Sequence, residues 1–155
     1  MKVRLEVDEA TEDDEIIIRC KELTSKILNI QKVLSKNLDE NINILFFKDN
    51  TEYYISLDEI IFFETEKNYI YGHSKDQVYE VRYKLYELEE ILPNEFIRVS
   101  KSTIVNVTYI NSIERNLTSS SIVNFQDTYK KTYVSRYYYK NLKLRILEVR
   151  GYYEK

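Results

Sequence analysis

A single histidine, a single cysteine and two glycines limit the chemistry this 155-residue chain can do. His73 has no Ser or Cys at a credible nucleophilic position, so a surface place is expected for it. Cys20 alone cannot form an intrachain disulfide or a cysteine zinc cage, which needs at least two thiolates. Two glycines leave no Gly-rich phosphate loop. Glu64 and Glu66 would share one face of a strand. They could be a carboxylate pair for acid–base or metal work, but charge that keeps an edge strand soluble is the stronger reading. No enzyme, metal or cofactor is therefore expected. The remaining chemistry is cationic. The formal net charge is -3, yet residues 96–147 hold nine Lys/Arg against two Asp/Glu, whereas residues 44–95 hold five against twelve. One basic segment in an acidic protein suits a polyanion. It would equally suit internal neutralisation of the acidic middle, and charge alone leaves the two level.

The elements that must carry these charges belong to a soluble globular chain, 43% hydrophobic and 32% charged. The length fits one domain plus an appendage. One cysteine makes a reducing, cytoplasmic setting the expectation. The first fifteen residues do not read as a secretory leader, and no run of about 20 apolar residues is present. Fifteen tyrosines beside two glycines and one proline favour strands. Residues 2–7 (KVRLEV) and Ile16-Ile17-Ile18 read as strands around an acidic loop. Leu23, Ile27, Ile30 and Leu34 then recur at helical spacing, ending near Lys36-Asn37. Residues 1–40 thus form an expected β-β-α unit. From Asn43 the pattern becomes eight to ten short strands, with turns at Asp49-Asn50 and Lys75-Asp76. One helix over residues 79–92 is stopped by Pro93. Leu142, Leu144, Ile146 and Leu147 fit a final strand or a short helix.

Three segments stand out within this frame: FFETEKNYIYGHS at residues 62–74, FIRVSKSTIVNVTYINSI at 96–113 and KTYVSRYYYKNL at 131–142. In this order and spacing they resemble the LytTR DNA-binding domain of bacterial response regulators, over roughly residues 41–150. The middle segment is the most specific. It starts aromatic-hydrophobic-Arg, continues to Ser102 and ends an IVN triplet at Asn106. The resemblance implies a mainly β, α+β fold of stacked antiparallel sheets with one or two helices. It also implies loops, rather than a recognition helix, entering successive major grooves of duplex DNA. Carried over by position, the contacts fall on Asn68 with Lys67 and Tyr69, on Lys101 with Ser102, and on Arg136 with Ser135. Family members differ at the first two positions, so the DNA sequence read does not carry over.

The residue chemistry agrees. Arg136 is a fork of donors suited to guanine O6 and N7, and the Asn68 amide can pair with adenine N6 and N7. Lys101 and Ser102 can donate to phosphate or a base edge. Arg98, Lys130, Lys131 and Lys140 suit phosphates, whose neutralisation makes affinity salt-dependent. Against this, Asn68 could simply hold a turn. Asn106 reads as a structural cap of backbone groups. Tyr137, Tyr138 and Tyr139 could stack single-stranded bases, although packing suits a strand end better. The expected function is a sequence-specific transcription regulator. A β-rich protein-interaction module is the alternative, and an RNA or single-strand binder a weaker third. Forty residues cannot contain a phosphoacceptor receiver domain, so control by phosphorylation is not expected. Residues 1–40 are expected to mediate a homodimer or to serve regulation, since two DNA-binding domains read a repeated site more tightly than one. By family analogy only, a small membrane protein could restrain a stand-alone regulator of this kind.

Overall fold

The structure is a computed structural model that describes residues 1–38 and 42–152. After α1 (Ser25–Leu38) come β1 (Phe46–Lys48), β2 (Thr51–Tyr53), β3 (Phe62–Glu66), β4 (Tyr69–His73) and β5 (Val78–Val81). They are followed by α2 (Leu85–Ile91), β6 (Phe96–Ser100), β7 (Thr103–Asn106), β8 (Ile110–Glu114), β9 (Ser121–Phe125), β10 (Lys131–Val134) and α3 (Arg136–Arg150). Seven strands form one antiparallel sheet in the order β2-β1-β5-β4-β3-β7-β6, and three form a second in the order β10-β9-β8. The expected stacked antiparallel architecture is therefore present.

Period-two alternation explains the layering. On β3, Phe63 enters a core with Phe46, Leu57, Ile60, Leu85, Leu88, Phe96 and Ile104. Its neighbour Phe62 enters the other core with Val99, Val105, Val123, Phe125, Val134 and Leu142. Strand β7 divides likewise, with Ile104 on one side and Val105 on the other. The large sheet is thus covered on one face by α2 and on the other by the small sheet and α3. Local chemistry sets the turns. Asp49 and Asn50 take φ of 49° and 61°, the paired left-handed conformation that a tight two-residue hairpin requires. Asn106 acts as the expected cap: its Oδ1 accepts from Thr108 N–H at 3.1 Å and its Nδ2 donates to the Ile60 carbonyl at 3.0 Å. Helix α3 ends at Gly151, left-handed at φ 73°, whose N–H donates to the Leu147 carbonyl at 2.8 Å.

Gly72 is required for a different reason. It lies opposite Phe63 in the β3–β4 ladder, and a Cβ there would sit 2.9 Å from Phe46 Cε1 and 3.1 Å from Phe63 Cε1. Gly72→Ala is expected to overpack this layer and destabilise the fold by about 1–3 kcal/mol, read from the urea midpoint. A midpoint equal to that of the parent would mean that the two rings yield without cost.

Several local expectations are corrected. Residues 2–7 and 16–18 form no strand. Val3, Leu5 and Val7 are almost fully exposed, and neither segment has a ladder partner among the described residues. A lone hairpin is marginal in water, and the six carboxylates in residues 8–15 repel one another. Helix α1 does form and packs against α3. It buries Leu28 and half-buries Ile27, Ile30 and Leu34, whereas Leu23 precedes the helix and stays exposed. The expected boundary between residues 40 and 41 lies outside the described residues. The helix expected over residues 79–92 begins only at Leu85, because Tyr79 packs in β5 against Tyr53 and Phe46 at ring separations of 5.1 and 5.9 Å. Of the two forms left open for the last segment, the helix is present, 15 residues long. Strand β3 is interior to its sheet, so Glu64 and Glu66 do not lie on an edge. His73 is not a surface residue. Its ring stacks on Phe62 at 4.2 Å and its Nε2 lies 3.3 Å from the Glu64 carboxylate.

Candidate nucleic-acid interface

Strand direction decides which turns meet. Strands β3 and β6 run toward one end of the large sheet, and β4 and β7 start from it. The β3–β4 turn, Lys67-Asn68, and the β6–β7 turn, Lys101-Ser102, therefore share that end. Thr65 N–H donates to the Ser102 carbonyl at 2.8 Å and ties the two turns together. The third segment arrives through a β-bulge. The β6–β7 register steps over Val99, whose carbonyl instead accepts from Ser135 N–H at 2.9 Å. Ser135 immediately precedes α3, so Arg136 starts its helix beside the same end of the sheet. Two long-range backbone hydrogen bonds thus gather three segments that lie far apart in sequence.

Lys67, Asn68, Tyr69, Lys101, Ser102 and Arg136 are all exposed. In the first turn the positive φ, 56°, falls on Lys67 and not on Asn68. A left-handed backbone is the main reason for Asn in a turn, so Asn68 is not explained that way and its amide is open to solvent. Helix α3 starts with Arg136 and carries no acidic residue in its first turn. A cation there opposes the helix dipole, which favours an anion at this end. Arg136 therefore costs the isolated helix a little stability, the pattern expected of a residue placed for binding. Lys140, one helical turn on, is exposed on the same face.

Other expected contacts lie elsewhere or are already engaged. The Arg98 guanidinium, expected at a phosphate, donates to Glu89 and to the carbonyls of Ser100 and Lys101. Lys130 Nζ donates to the carbonyls of Ser74 at 2.8 Å and Gln77 at 2.9 Å, closing the β4–β5 turn onto the β9–β10 turn. Burial pushes its pKa below the usual lysine range, against the opposing pull of Asp76 and Glu64. That turn and its exposed neighbour Lys131 are at the opposite end of the large sheet from Lys67-Asn68. The Ser135 hydroxyl, expected at DNA, is buried, and the residue's backbone N–H holds the start of α3 on β6. Arg145 donates to the Asn94 and Phe96 carbonyls and fastens α3 to β6. The basic segment is thus partly spent internally, as the charge count allowed. Sequence reasoning underrated Tyr137, which was expected to pack but is 82% exposed beside Arg136. Its signal was helical spacing: Tyr138, Leu142, Ile146 and Val149 line the buried face of α3 and leave Tyr137 outside.

A β-rich fold with donors gathered on turns and a helix start at one sheet end is a nucleic-acid-binding architecture. Residues 50–147 match the family model described as the LytTr DNA-binding domain, and the chain belongs to that DNA-binding family. A relative in Staphylococcus aureus strain NCTC 8325, described as an HTH-type transcriptional regulator, is 30% identical over 120 residues, 76% of this chain and 81% of its own length. Another so described, from strain MSSA476, is 27% identical over 146 residues, 94% of this chain and 98% of its own length. A solved LytTr DNA-binding domain from Bacillus cereus superposes with a TM-score of 0.62 at 21% identity, over 67% of this chain and 95% of that one. Among the described residues no two helices are joined by a short turn, since five strands separate α1 from α2 and five separate α2 from α3. The fold is thus of the LytTr type and not a helix-turn-helix. No helix of the described residues is long and apolar enough to cross a membrane.

Proposed function

We propose that this chain is a cytoplasmic, non-enzymatic transcription regulator that reads successive major grooves of duplex DNA with the 67–69 turn, the 101–102 turn and the start of α3. The observation that carries this reading is the pair of backbone bonds, Thr65 to Ser102 and Ser135 to Val99, which gathers those segments at one end of the sheet. Asn68 and Arg136 serve as base-edge donors, and Lys101 donates to phosphate. Lys67, Tyr69, Ser102 and Lys140 flank them toward sugar and phosphate. The regulator names of the staphylococcal relatives support the cellular role. Titration of duplex DNA from the chain's own promoter should give affinity that falls linearly with log salt, with a slope of about -0.9 per phosphate neutralised. Retention indifferent to salt, or absent, would overturn the reading.

Residues 1–40 are proposed to join two copies, because two linked domains hold a repeated site more tightly than one. Exposed Val3, Leu5, Val7, Leu23 and Val33 are the apolar groups such a contact would cover. Sedimentation velocity should show a dimer for the full chain and a monomer for a chain lacking residues 1–40. Equal dimerisation of both would sink the assignment.

A further inference from the structure

Arg98 belongs to the basic segment, but its side chain is only 17% exposed. Its Nε donates to the Ser100 carbonyl at 2.7 Å. One terminal nitrogen donates to the Lys101 carbonyl at 2.5 Å and the other to the Glu89 carboxylate of α2 at 2.7 Å. The two carbonyls are those of the last residue of β6 and the first residue of its turn. This is where the β6–β7 register has just slipped at Val99, and only the Ser100–Thr103 pair continues the ladder before the turn. A planar guanidinium can span three acceptors in fixed directions, and a lysine ammonium on its flexible stem cannot reproduce that fork. Reaching a phosphate would require Arg98 to abandon these bonds.

We propose that Arg98 is a positioning residue for DNA recognition: it locks the backbone of residues 100–102 to Glu89 of α2 so that Lys101 and Ser102 are presented in one fixed geometry. This rests on the reading of that turn as a DNA contact. A turn ordered before binding does not have to be ordered during it, and the gain appears as affinity.

The test compares Arg98→Ala, Arg98→Lys, Glu89→Gln and Lys101→Ala in the full chain, by DNA titration over a salt series. Thermal melts confirm that each variant is folded at the binding temperature. Arg98→Lys should fall as far as Arg98→Ala, by about three- to tenfold, and both should keep the parent's salt slope. Glu89→Gln, at a half-exposed carboxylate, should lose less in the same direction. In the free protein, Arg98→Lys and Glu89→Gln should both shift the Lys101 and Ser102 amide resonances. Lys101→Ala should instead make the slope shallower by about one. Rescue by Arg98→Lys, or a shallower slope in Arg98→Ala, would mark a direct phosphate contact and overturn the positioning role, leaving the interface intact. Unchanged binding in Lys101→Ala and in Ser102→Ala would overturn the interface at this turn, and the positioning role with it.

Discussion

Arg136→Ala binds the cognate duplex about 5- to 150-fold more weakly, the equivalent of roughly 1–3 kcal/mol for a lost bidentate base contact. The expectation follows from position as much as residue type. Arg136 is exposed at the first residue of α3, one peptide beyond the Ser135–Val99 backbone bond that docks the helix start on β6. Removing the side chain takes away a donor fork without disturbing that bond. Because a cation at a helix N-terminus opposes the dipole, the same substitution should leave stability unchanged or raise it by a few tenths of a kcal/mol. Affinity and stability thus move in different directions, which separates a contact from a structural prop. Arg136→Lys should recover charge but not the preference for guanine. Mobility-shift titrations against the promoter duplex and a scrambled one supply the readout. Affinity and sequence preference equal to the parent's would remove Arg136 from the interface.

Phe63→Ala should destabilise the fold by about 3–5 kcal/mol, the cost of emptying a buried aromatic site. Phe63 is fully buried on β3, with its ring stacked on Phe46 at 6.3 Å and tilted against Phe96 at 5.7 Å. Total stability for a domain of this kind is about 5–15 kcal/mol, so this one change could consume a large part of it. The consequence reaches the interface, since β3 leads directly into Lys67-Asn68 and carries Thr65, whose N–H holds Ser102. Urea unfolding followed by tyrosine fluorescence should show a lower midpoint with an unchanged m-value. A loss below about 1 kcal/mol would mean that the Phe46 and Phe96 rings collapse into the space.

Much of the fold was legible because its signals are local. The double apolar run at Phe62-Phe63 announces a strand, and folding decides that it is interior to its sheet. Asp49-Asn50 announces a break between two strands, Pro93 a helix stop and Asn106 a cap, and each was read correctly from its neighbours. The final helix was harder. Leu142, Leu144, Ile146 and Leu147 fit either period, and packing against β6 and the Val107–Tyr109 turn favours the helix. The N-terminal segments failed in the opposite way. Their alternation is correct for strands, but a strand also needs a ladder partner, and none of the described residues supplies one.

The candidate interface divides in the same manner. Residue type and spacing singled out Asn68, Lys101 and Arg136 as donors and excluded most enzyme chemistry through the scarcity of His, Cys and Gly. That much is a property of the chain itself, because a side chain's donors and charge do not depend on its surroundings. Whether a cation is offered to DNA or used inside does depend on them. Arg98, Lys130 and Arg145 are as basic as Lys101 in the sequence, yet backbone carbonyls engage all three, from distant segments for Lys130 and Arg145 and from its own strand end and turn for Arg98. The meeting of the three segments is equally nonlocal, since it rests on antiparallel strand order and two backbone bonds spanning roughly 36 residues each. Sequence alone determined which groups could recognise DNA. Tertiary structure decided which of them face outward together, because only folding assigns each donor its acceptor.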